Sequence, residues 1–195
     1  MIKKENEDRR VKYTKMVLKE SFIKLLGEKS VNKITIKEIC DMADINRTTF
    51  YAHYKDQYDL LRQLQDELMS DIITHLTQNS KSSTGIISTQ TLEKIFEYIK
   101  ENSDICTLFL SESVDTNFEN QVIKLFHEWF IFYWKQSGAN VRLDIEYVYA
   151  FSAYGCIGII KKWLSEGMVI PIEEMAQLVI KMTSPGLNPV TENKD

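Results

Sequence analysis

Residues 34–61, ITIKEICDMADINRTTFYAHYKDQYDLL, contain two helix-start signals only 11 residues apart. Thr35 and Glu38 have the spacing of a capping box, in which the hydroxyl accepts from the third helical N–H and the carboxylate returns to the cap. Asn46 is a second N-cap, at the end of a tight turn that starts at Asp44. Two capped short helices joined by such a turn predict a helix-turn-helix, whose second helix can enter the major groove of DNA.

The apolar residues around these caps predict how the motif packs. Ile34 with Ile39, and Ile45 with Phe50, stand at hydrophobic-staple positions across the two caps. Phe50 and Tyr54 are four residues apart on the second helix and are expected to face inward. A third start signal, Asp56 followed by Asp59, opens a further helix with Leu61, Leu64 and Leu68 on its core side.

The second helix of the motif has a face suited to nucleic acid. Residues 45–55 contain no Asp or Glu, so no side chain there repels phosphate. The outward positions carry hydrogen-bond donors for phosphates and base edges, and methyl and ring surface for thymine methyl groups. These positions are Arg47, Thr48, Tyr51, His53 and Lys55. An ordinary three-helix bundle with a polar face is the alternative.

The rest of the chain predicts an all-α protein. Helical periodicity covers residues 9–29, 92–101, 105–111, 118–137, 143–167 and 172–183, and no strand alternation accompanies it. Polar, Ser/Thr-rich residues 76–90 predict a loop between domains. We therefore expect a helix-turn-helix domain over 9–65, a helical sensor and dimerisation domain over 66–185, and a polar tail over 186–195.

Charge is divided unequally along the chain. Residues 1–62 hold 14 Lys/Arg against 10 Asp/Glu, which gives +4, and the remainder holds 10 against 18, which gives −8. A cationic N-terminal third suits DNA binding, because phosphate contacts supply most non-specific affinity. A chance excess of four charges is the alternative.

The segment TIKEICDMADINRTTFYAHYKDQYDLL resembles the DNA-binding signature of the TetR family, and the likeness covers roughly residues 9–65. The resemblance implies DNA contacts from the second helix of the motif and backbone contacts from Thr35 and Lys37. The implied second-helix residues are Arg47, Thr48, Thr49, Tyr51 and His53. Two positions depart from the family pattern: Ser30 stands where glycine is usual, and Gln57 where a phosphate-touching lysine is common. Lys55 is expected to replace that lysine.

The C-terminal half is similar to the sensor domain of one TetR subgroup. The segments FEYIKENSDICTLFLSES and AYGCIGIIKKWLSEGMVIPIEEMAQLV carry this likeness. The subgroup includes regulators resembling dihydroxyacetone-kinase operon activators. The resemblance implies dimerisation through the last two long helices, and it specifies no effector.

Residue patterns give no support to an enzyme. His53, His75 and His127 are far apart in sequence, and no phosphate loop, nucleophile elbow or metal-ligand spacing is present. We expect no catalytic residue, no metal and no cofactor. Cys40, Cys106 and Cys156 suit packing in a reducing cytoplasm, with a redox switch at Cys106 or Cys156 as the alternative. The first residues, MIKKENEDRR, contain no apolar stretch, so we expect no signal peptide, and no apolar run is long enough to span a bilayer.

The helix over 118–137 carries aromatic residues on several faces, which predicts a second buried surface besides the core. A ligand cavity and ordinary core packing both account for this pattern. The candidates for lining a cavity are Phe96, Phe109, Trp129, Tyr133 and Tyr147.

Residues 147–164 are apolar on nearly every side, and glycines inside a soluble helix each cost about 1 kcal/mol relative to Ala. Close approach by the same helix of a second subunit would compensate for that cost. The predicted interface consists of Ser152, Gly155, Gly158, Met175, Leu178, Val179 and Met182. An internal core that accommodates the glycines is the alternative.

Together these patterns predict a homodimeric regulator of transcription that binds a near-palindromic double-stranded operator. A small-molecule or protein effector would control it, with repression the expected mode and activation also open. The competing interpretation is a helical protein-interaction or adaptor module that has lost DNA binding. An acid-free face over residues 45–55 favours the regulator.

Overall fold

A computed structural model of the chain describes residues 9–78, 88–111, 116–136 and 145–187. The regular elements in these ranges are α-helices, as the sequence predicts, apart from one three-residue 3-10 turn that joins the first two helices. In chain order the helices are α1 (Arg9–Glu28), α2 (Ile36–Ala43), α3 (Arg47–Tyr51), α4 (Gln57–Gln78), α5 (Thr89–Glu101), α6 (Ser103–Phe109), α7 (Thr116–Gln136), α8 (Ile145–Ser165) and α9 (Ile172–Leu187).

The chain forms two compact units, and the division falls inside α4, between Leu68 and Met69. The sequence placed the domain boundary slightly earlier, after residue 65. Most of the predicted inter-domain loop, residues 79–87, lies outside the described residues, as does residue 188 onward of the predicted tail. None of the helices in the described ranges is both long and apolar enough to span a membrane.

The N-terminal unit is organised around the apolar face of α1. Leu18 and Phe22 of that face are fully buried, and α1 packs against α2. Ile39 of α2 and Phe50 of α3 are equally buried, which closes the core from the other side. Burying such side chains stabilises the unit by about 1.5–3 kcal/mol each, before the chain entropy of folding is subtracted.

Caps fix where the two helices of the motif begin. The Thr35 hydroxyl accepts from the Glu38 N–H at 3.2 Å, and the Glu38 carboxylate accepts from the Thr35 N–H at 2.9 Å. At α3 the Asn46 side chain accepts from the Thr49 N–H at 2.8 Å. Between the helices, Asp44 adopts a left-handed conformation with φ 54°, which lets the chain turn back within three residues.

The second helix of the motif, α3, is shorter than the sequence predicts. It was expected to extend to Lys55, but α3 ends at Tyr51. The reason is the next cap: Asp56 accepts from the Asp59 N–H at 2.8 Å, and Asp59 in return accepts from the Lys55 N–H at 3.0 Å. These two hydrogen bonds commit residues 55–59 to the start of α4, so α3 does not extend to Lys55.

The C-terminal unit is a helical bundle in which α5 packs against α9 and α8 packs against α6, α7 and α9. Two aromatic pairs hold its core. Phe96 meets Trp163 edge to face with ring centroids 5.2 Å apart, and Phe109 meets Phe118 at 5.1 Å. These rings are nearly inaccessible to solvent, so they anchor α5 to α8 and α6 to α7.

A tight turn joins α8 to α9. Gly167, at φ 73°, and Met168, at φ 59°, are both left-handed, and their N–H groups return to the carbonyls of Leu164 and Trp163. This is a Schellman ending. The indole N–H of Trp163 donates to the Ile170 carbonyl at 2.9 Å and ties the turn to the core.

The predicted end of the last helix is wrong by one turn. Residues 184–186, Ser-Pro-Gly, were expected to stop it after Thr183, but α9 continues to Leu187. The start of the helix at Ile172 agrees with the prediction.

Candidate nucleic-acid interface

The exposed face of α3 carries three of the predicted DNA-binding residues. Arg47, Thr48 and Tyr51 all lie at the surface, and Tyr51 exposes 57% of its area. The neighbouring Phe50 is completely buried, and its ring meets that of Tyr51 edge to face with centroids 5.7 Å apart. A buried anchor therefore supports an exposed phenol, and this reduces the conformational entropy that Tyr51 would lose on binding.

His53 and Lys55 lie beyond the end of α3 rather than on it. The Lys55 side chain is exposed, and its backbone N–H is held by Asp59. His53 is half-buried, with its ring 6.4 Å from that of the buried Tyr54. Both residues lie on the connection between α3 and α4. Phosphates border the groove that the second helix of a helix-turn-helix enters, so side chains just beyond that helix are expected to contact phosphate.

Thr35, Lys37 and Thr49 divide into two groups. Lys37 is exposed on the first turn of α2. The Thr35 hydroxyl, in contrast, donates to Glu38 at 2.9 Å, and the Thr49 hydroxyl donates to Asn46 at 2.9 Å. These two hydroxyls serve the caps, so the structure gives Thr35 and Thr49 a role in shaping the motif. Sequence reasoning did not assign that role to Thr49.

An ion pair neutralises the acidic residue nearest the start of α2. The Lys29 ammonium lies 2.5 Å from the Glu38 carboxylate, and it joins the end of α1 to the cap of α2. Hydrogen bonds from Lys29 first, and then from Thr35, lower the pKa of Glu38 from 4.5 to about 2. Glu38 is therefore ionised and paired at any physiological pH, and it adds no unbalanced negative charge to the motif.

Comparison with known proteins identifies the fold and the family. The model of the TetR-type transcriptional regulator C-terminal region matches residues 88–185, which is half of the chain. The chain belongs to the TetR family of transcriptional regulators. This match begins at the N-cap of α5 and covers the helices of the C-terminal unit, so it is independent of the helix-turn-helix signature.

One curated relative shares the regulator description. The HTH-type transcriptional regulator YxbF of Bacillus subtilis is 38% identical over 76 residues, which is 38% of this chain. The aligned segment spans only 20% of that relative's length.

Solved structures of TetR-family regulators share the whole fold. A TetR transcriptional regulator from Streptococcus agalactiae is 24% identical, and the likeness covers 90% of this chain and 96% of the other with a TM-score of 0.63. The dihydroxyacetone kinase operon activator DhaS is 18% identical, covering 89% and 96%, with a TM-score of 0.60. FadR of Bacillus subtilis, solved with stearoyl-CoA, is 16% identical, covering 88% and 98%, with a TM-score of 0.60.

The structure describes the side chains of three of the five cavity candidates in this TetR-family regulator, and these three do not line one enclosed site. Phe96 and Phe109 are core residues with aromatic partners, as described above. Tyr147 exposes 79% of its area, so it does not line an enclosed site. The Trp129 and Tyr133 side chains lie outside the described residues, and the prediction for these two is untested.

Two of the predicted interface residues belong instead to the protomer's own core. Met175 and Val179 of α9 expose 3% and 5% of their area, because this face of α9 packs against α5 and α8. The prediction is wrong for both, since buried side chains offer nothing to a partner. Helical spacing grouped the four apolar residues of α9 in one interface but did not show which of them face the protomer's own core.

The other predicted interface residues are accessible. Leu178 and Met182 are exposed on α9, Gly155 and Gly158 are exposed on α8, and Ser152 is half-buried. A Cβ atom added to either glycine would meet nothing within 4 Å. The internal-core alternative is therefore wrong for both glycines, because no neighbouring side chain in the protomer requires their absence of a Cβ.

Sequence reasoning missed two residues of the same surface. Phe151 and Tyr154 expose 71% and 59% of their area, and with Tyr147 they form an aromatic stripe along α8. Their spacing of four and three residues was visible in the sequence. We define the apolar α8–α9 face as Tyr147, Phe151, Tyr154, Gly155, Gly158, Leu178 and Met182.

Titratable groups of the C-terminal unit form contacts between α7 and α8. His127 lies 3.2 Å from the Glu146 carboxylate, and its ring meets that of Tyr149 at 4.7 Å. The Tyr149 hydroxyl donates to the Ile123 carbonyl, and burial is the main cause that raises its pKa to about 12. No group of His, Cys, Asp and Glu residues suitable for a metal ion occurs in the described ranges.

Proposed function

We propose that this TetR-family regulator binds a specific DNA operator as a homodimer, in which the α3 helix of each subunit enters the major groove of its own half-site. The observation that carries the proposal is the surface of α3 and the following connection. Arg47, Thr48, Tyr51 and Lys55 are exposed there, and residues 45–55 contain no acidic side chain. Protein groups that contact DNA in this way give both phosphate affinity and base discrimination.

The apolar α8–α9 face supports the dimer. Its three aromatic side chains are more than half exposed, and two glycines lie beside them on the same helix. A contiguous apolar surface of this kind is unfavourable in water, and helical glycines add their own cost. An isologous contact with the same face of a second subunit would cover the aromatic side chains. It would also explain the glycines, because their lack of a side chain lets two helix backbones approach closely.

The C-terminal unit is the proposed site of effector control. FadR was solved in complex with stearoyl-CoA, which shows that one protein with this fold holds an acyl ligand. Here α7 is the element with the aromatic positions predicted to line a cavity, Trp129 and Tyr133. A ligand controls DNA binding only through its different affinities for the two states, and a change from 1:99 to 99:1 needs about 5.5 kcal/mol. Repression relieved by the effector is the mode we propose.

Selection of bound fragments from a genomic library tests the DNA proposal. Wild-type protein should enrich near-palindromic sites, with half-sites one helical turn or more apart as in other helix-turn-helix dimers. A Thr48→Ala/Tyr51→Ala double variant is the matched control, because both side chains are exposed and their loss leaves the core intact. The adaptor alternative predicts that wild type and control enrich the same random fragments.

Thermal unfolding with a panel of acyl-CoA esters tests the effector proposal. A ligand at 100 times its Kd should stabilise the protein by about 2.7 kcal/mol, provided that it binds only the folded state. The same ligand should change operator affinity. If no ester of any chain length shifts either quantity, acyl-CoA control is wrong and the DNA proposal stands.

A further inference from the structure

We propose that Arg47 reads a guanine in each half-site and that guanine is the base on which the sequence specificity of this regulator chiefly depends. The inference rests on the proposed function, and it concerns which of the exposed residues distinguishes one base pair from another. It follows from comparing the side chains of residues 46–55 that could make two hydrogen bonds to one base edge, and the structure describes all ten residues.

Base pairs are distinguished best by side chains that make two hydrogen bonds to one base edge. Arg and Lys pair with the O6 and N7 acceptors of guanine, Asn and Gln with the donor and acceptor of adenine, and Asp and Glu with the cytosine amine. Residues 46–55 contain no Asp, Glu or Gln, so direct pairing with cytosine is excluded on this segment. Asn46 is its one residue suited to adenine.

The cap of α3 removes Asn46 from that role. Reading adenine requires the amide oxygen to accept from the base while the amide nitrogen donates to it. The Asn46 oxygen already accepts from the Thr49 N–H at 2.8 Å and from the Thr49 hydroxyl at 2.9 Å. Releasing it would leave α3, a helix of five residues, without its N-cap.

Arg47 is the residue that remains. It is exposed at the first position of α3, and the N-terminal residues of a reading helix are those that meet base edges. Two ion pairs of the N-terminal unit join Lys19 to Glu67 and Lys29 to Glu38, and neither of these two involves the Arg47 guanidinium. Its planar fork of donors matches O6 and N7 of guanine.

Lys55 carries the other exposed cation of the segment, but it is badly placed for the same task. It lies four residues beyond the end of α3, where its backbone is fixed by the cap of α4. A lysine is also a point charge without a fixed fork, which suits a phosphate better than a base edge. Arg47 is thus assigned to the base edge, and Lys55 to the phosphate backbone of the DNA.

The test is a double-mutant cycle on the selected operator. Wild type and Arg47→Ala are titrated against the operator duplex and against the same duplex with 7-deazaguanine at the shared guanine. This analogue keeps Watson–Crick pairing but lacks the N7 acceptor. We expect either change alone to weaken binding by about 5- to 150-fold, and both together by little more than one.

Two further variants distinguish guanine recognition by Arg47 from the effect of its positive charge, and circular dichroism excludes an effect on folding. Arg47→Lys keeps the positive charge but loses the fork, so it should retain most of the salt dependence while losing guanine preference. Lys55→Ala should respond to 7-deazaguanine with the same fold-change as wild type. Circular dichroism of Arg47→Ala should match that of wild type, because the side chain is exposed and removes no core contact.

Two results would overturn the inference. One is a selected consensus with no guanine common to the half-sites. The other is an equal cost of 7-deazaguanine for wild type and Arg47→Ala. Either leaves the proposed DNA binding in place, whereas failure of wild type to enrich any sequence would overturn both together.

Discussion

At the scale of single residues, adjacent side chains of the same kind have opposite environments. Phe50 is fully buried and Tyr51 is 57% exposed, although the two aromatics are neighbours on one short helix. Successive helical residues point about 100° apart, so the inward direction of one fixes the outward direction of the next. The core that holds Phe50 is thereby the reason that Tyr51 is presented to solvent.

This position leads to a prediction about specificity. Tyr51→Ala should weaken operator binding by about 1–3 kcal/mol and relax base preference, because it removes ring surface that can contact a thymine methyl. Lys55→Ala should weaken all sequences alike and reduce the salt slope by about one phosphate contact. Fluorescence anisotropy at several salt concentrations measures both. Unchanged affinity and specificity in both variants would contradict this docking.

The cysteines lead to a second prediction at this scale. Burial raises the pKa of Cys106 to about 12 and that of Cys156 to about 11. At pH 8 about one thiol in 1,000 or fewer is then ionised, and the thiolate is the reactive form. Alkylation of both in the native protein should be at least about 100-fold slower than after denaturation. Mass spectrometry of the labelled peptides measures this, and fast native labelling would revive the redox alternative.

At the scale of elements, the start of α2 is held from two directions. Thr35 and Glu38 cap each other, and Lys29 at the end of α1 ties the same carboxylate to the preceding helix. The 3-10 turn over Val31–Lys33 connects these points over a short distance in sequence. The orientation of α2 relative to α1 is thus set by polar contacts at its beginning as well as by the core.

This arrangement predicts how the N-terminal unit responds to acid. The folded pKa of Glu38, about 2, lies below its ordinary value of 4.5. The stabilisation is therefore complete above about pH 4.5 and is lost as pH falls towards 2. Glu38→Gln should lower the urea midpoint of unfolding at pH 7. It should also remove part of the fall in the free energy of unfolding between pH 5 and pH 2. High salt should reduce the difference, because both side chains of the pair are partly exposed to solvent.

The matched control is Glu28→Gln, which changes an exposed glutamate at the end of α1. It should leave the acid response close to that of wild type. Parallel pH profiles for wild type and Glu38→Gln would show that the Lys29 contact does not stabilise the fold.

At the scale of the whole molecule, the largest unexplained feature is the apolar α8–α9 face. Neither compact unit by itself gives Gly155 or Gly158 a packing role, and the aromatics beside them are left in water. Proteins accept such costs when another surface covers them. Dimer formation would therefore be part of how this chain reaches its stable state.

Gly155→Leu tests that interpretation. The added side chain has open space within the protomer, so helix content should stay close to wild type. In the dimer it would separate two closely packed backbones, and we expect monomers that bind the operator at least about tenfold more weakly, the equivalent of about 1.4 kcal/mol. Sedimentation velocity and circular dichroism measure these effects.

Gly27→Leu is the matched control for this variant. Gly27 is also an exposed helical glycine with nothing within 4 Å of an added Cβ, but it belongs to α1 and is not part of the apolar α8–α9 face. The control should remain dimeric. A monomeric wild type at micromolar concentration would contradict the dimer outright.

The sequence by itself determined most of the helices and the helix-turn-helix motif, because their signals are local. Capping at Thr35, Asn46 and Asp56 needs only residues within three positions, and each cap occurs where the spacing predicts it. Helical periodicity likewise placed the start of α9 and the inward direction of Phe50. The family resemblance, now confirmed by the match over residues 88–185, rests on the same local patterns.

Tertiary structure alone decided which apolar face is core and which is surface. Met175 and Leu178 are both apolar residues of α9, yet the first packs inside the protomer and the second is exposed. Tyr147 is aromatic like Phe96, but only Phe96 meets the ring of Trp163. These outcomes depend on which helices lie beside each other after folding. A one-dimensional pattern cannot contain that information, because it records the spacing of apolar residues but not the neighbours they meet.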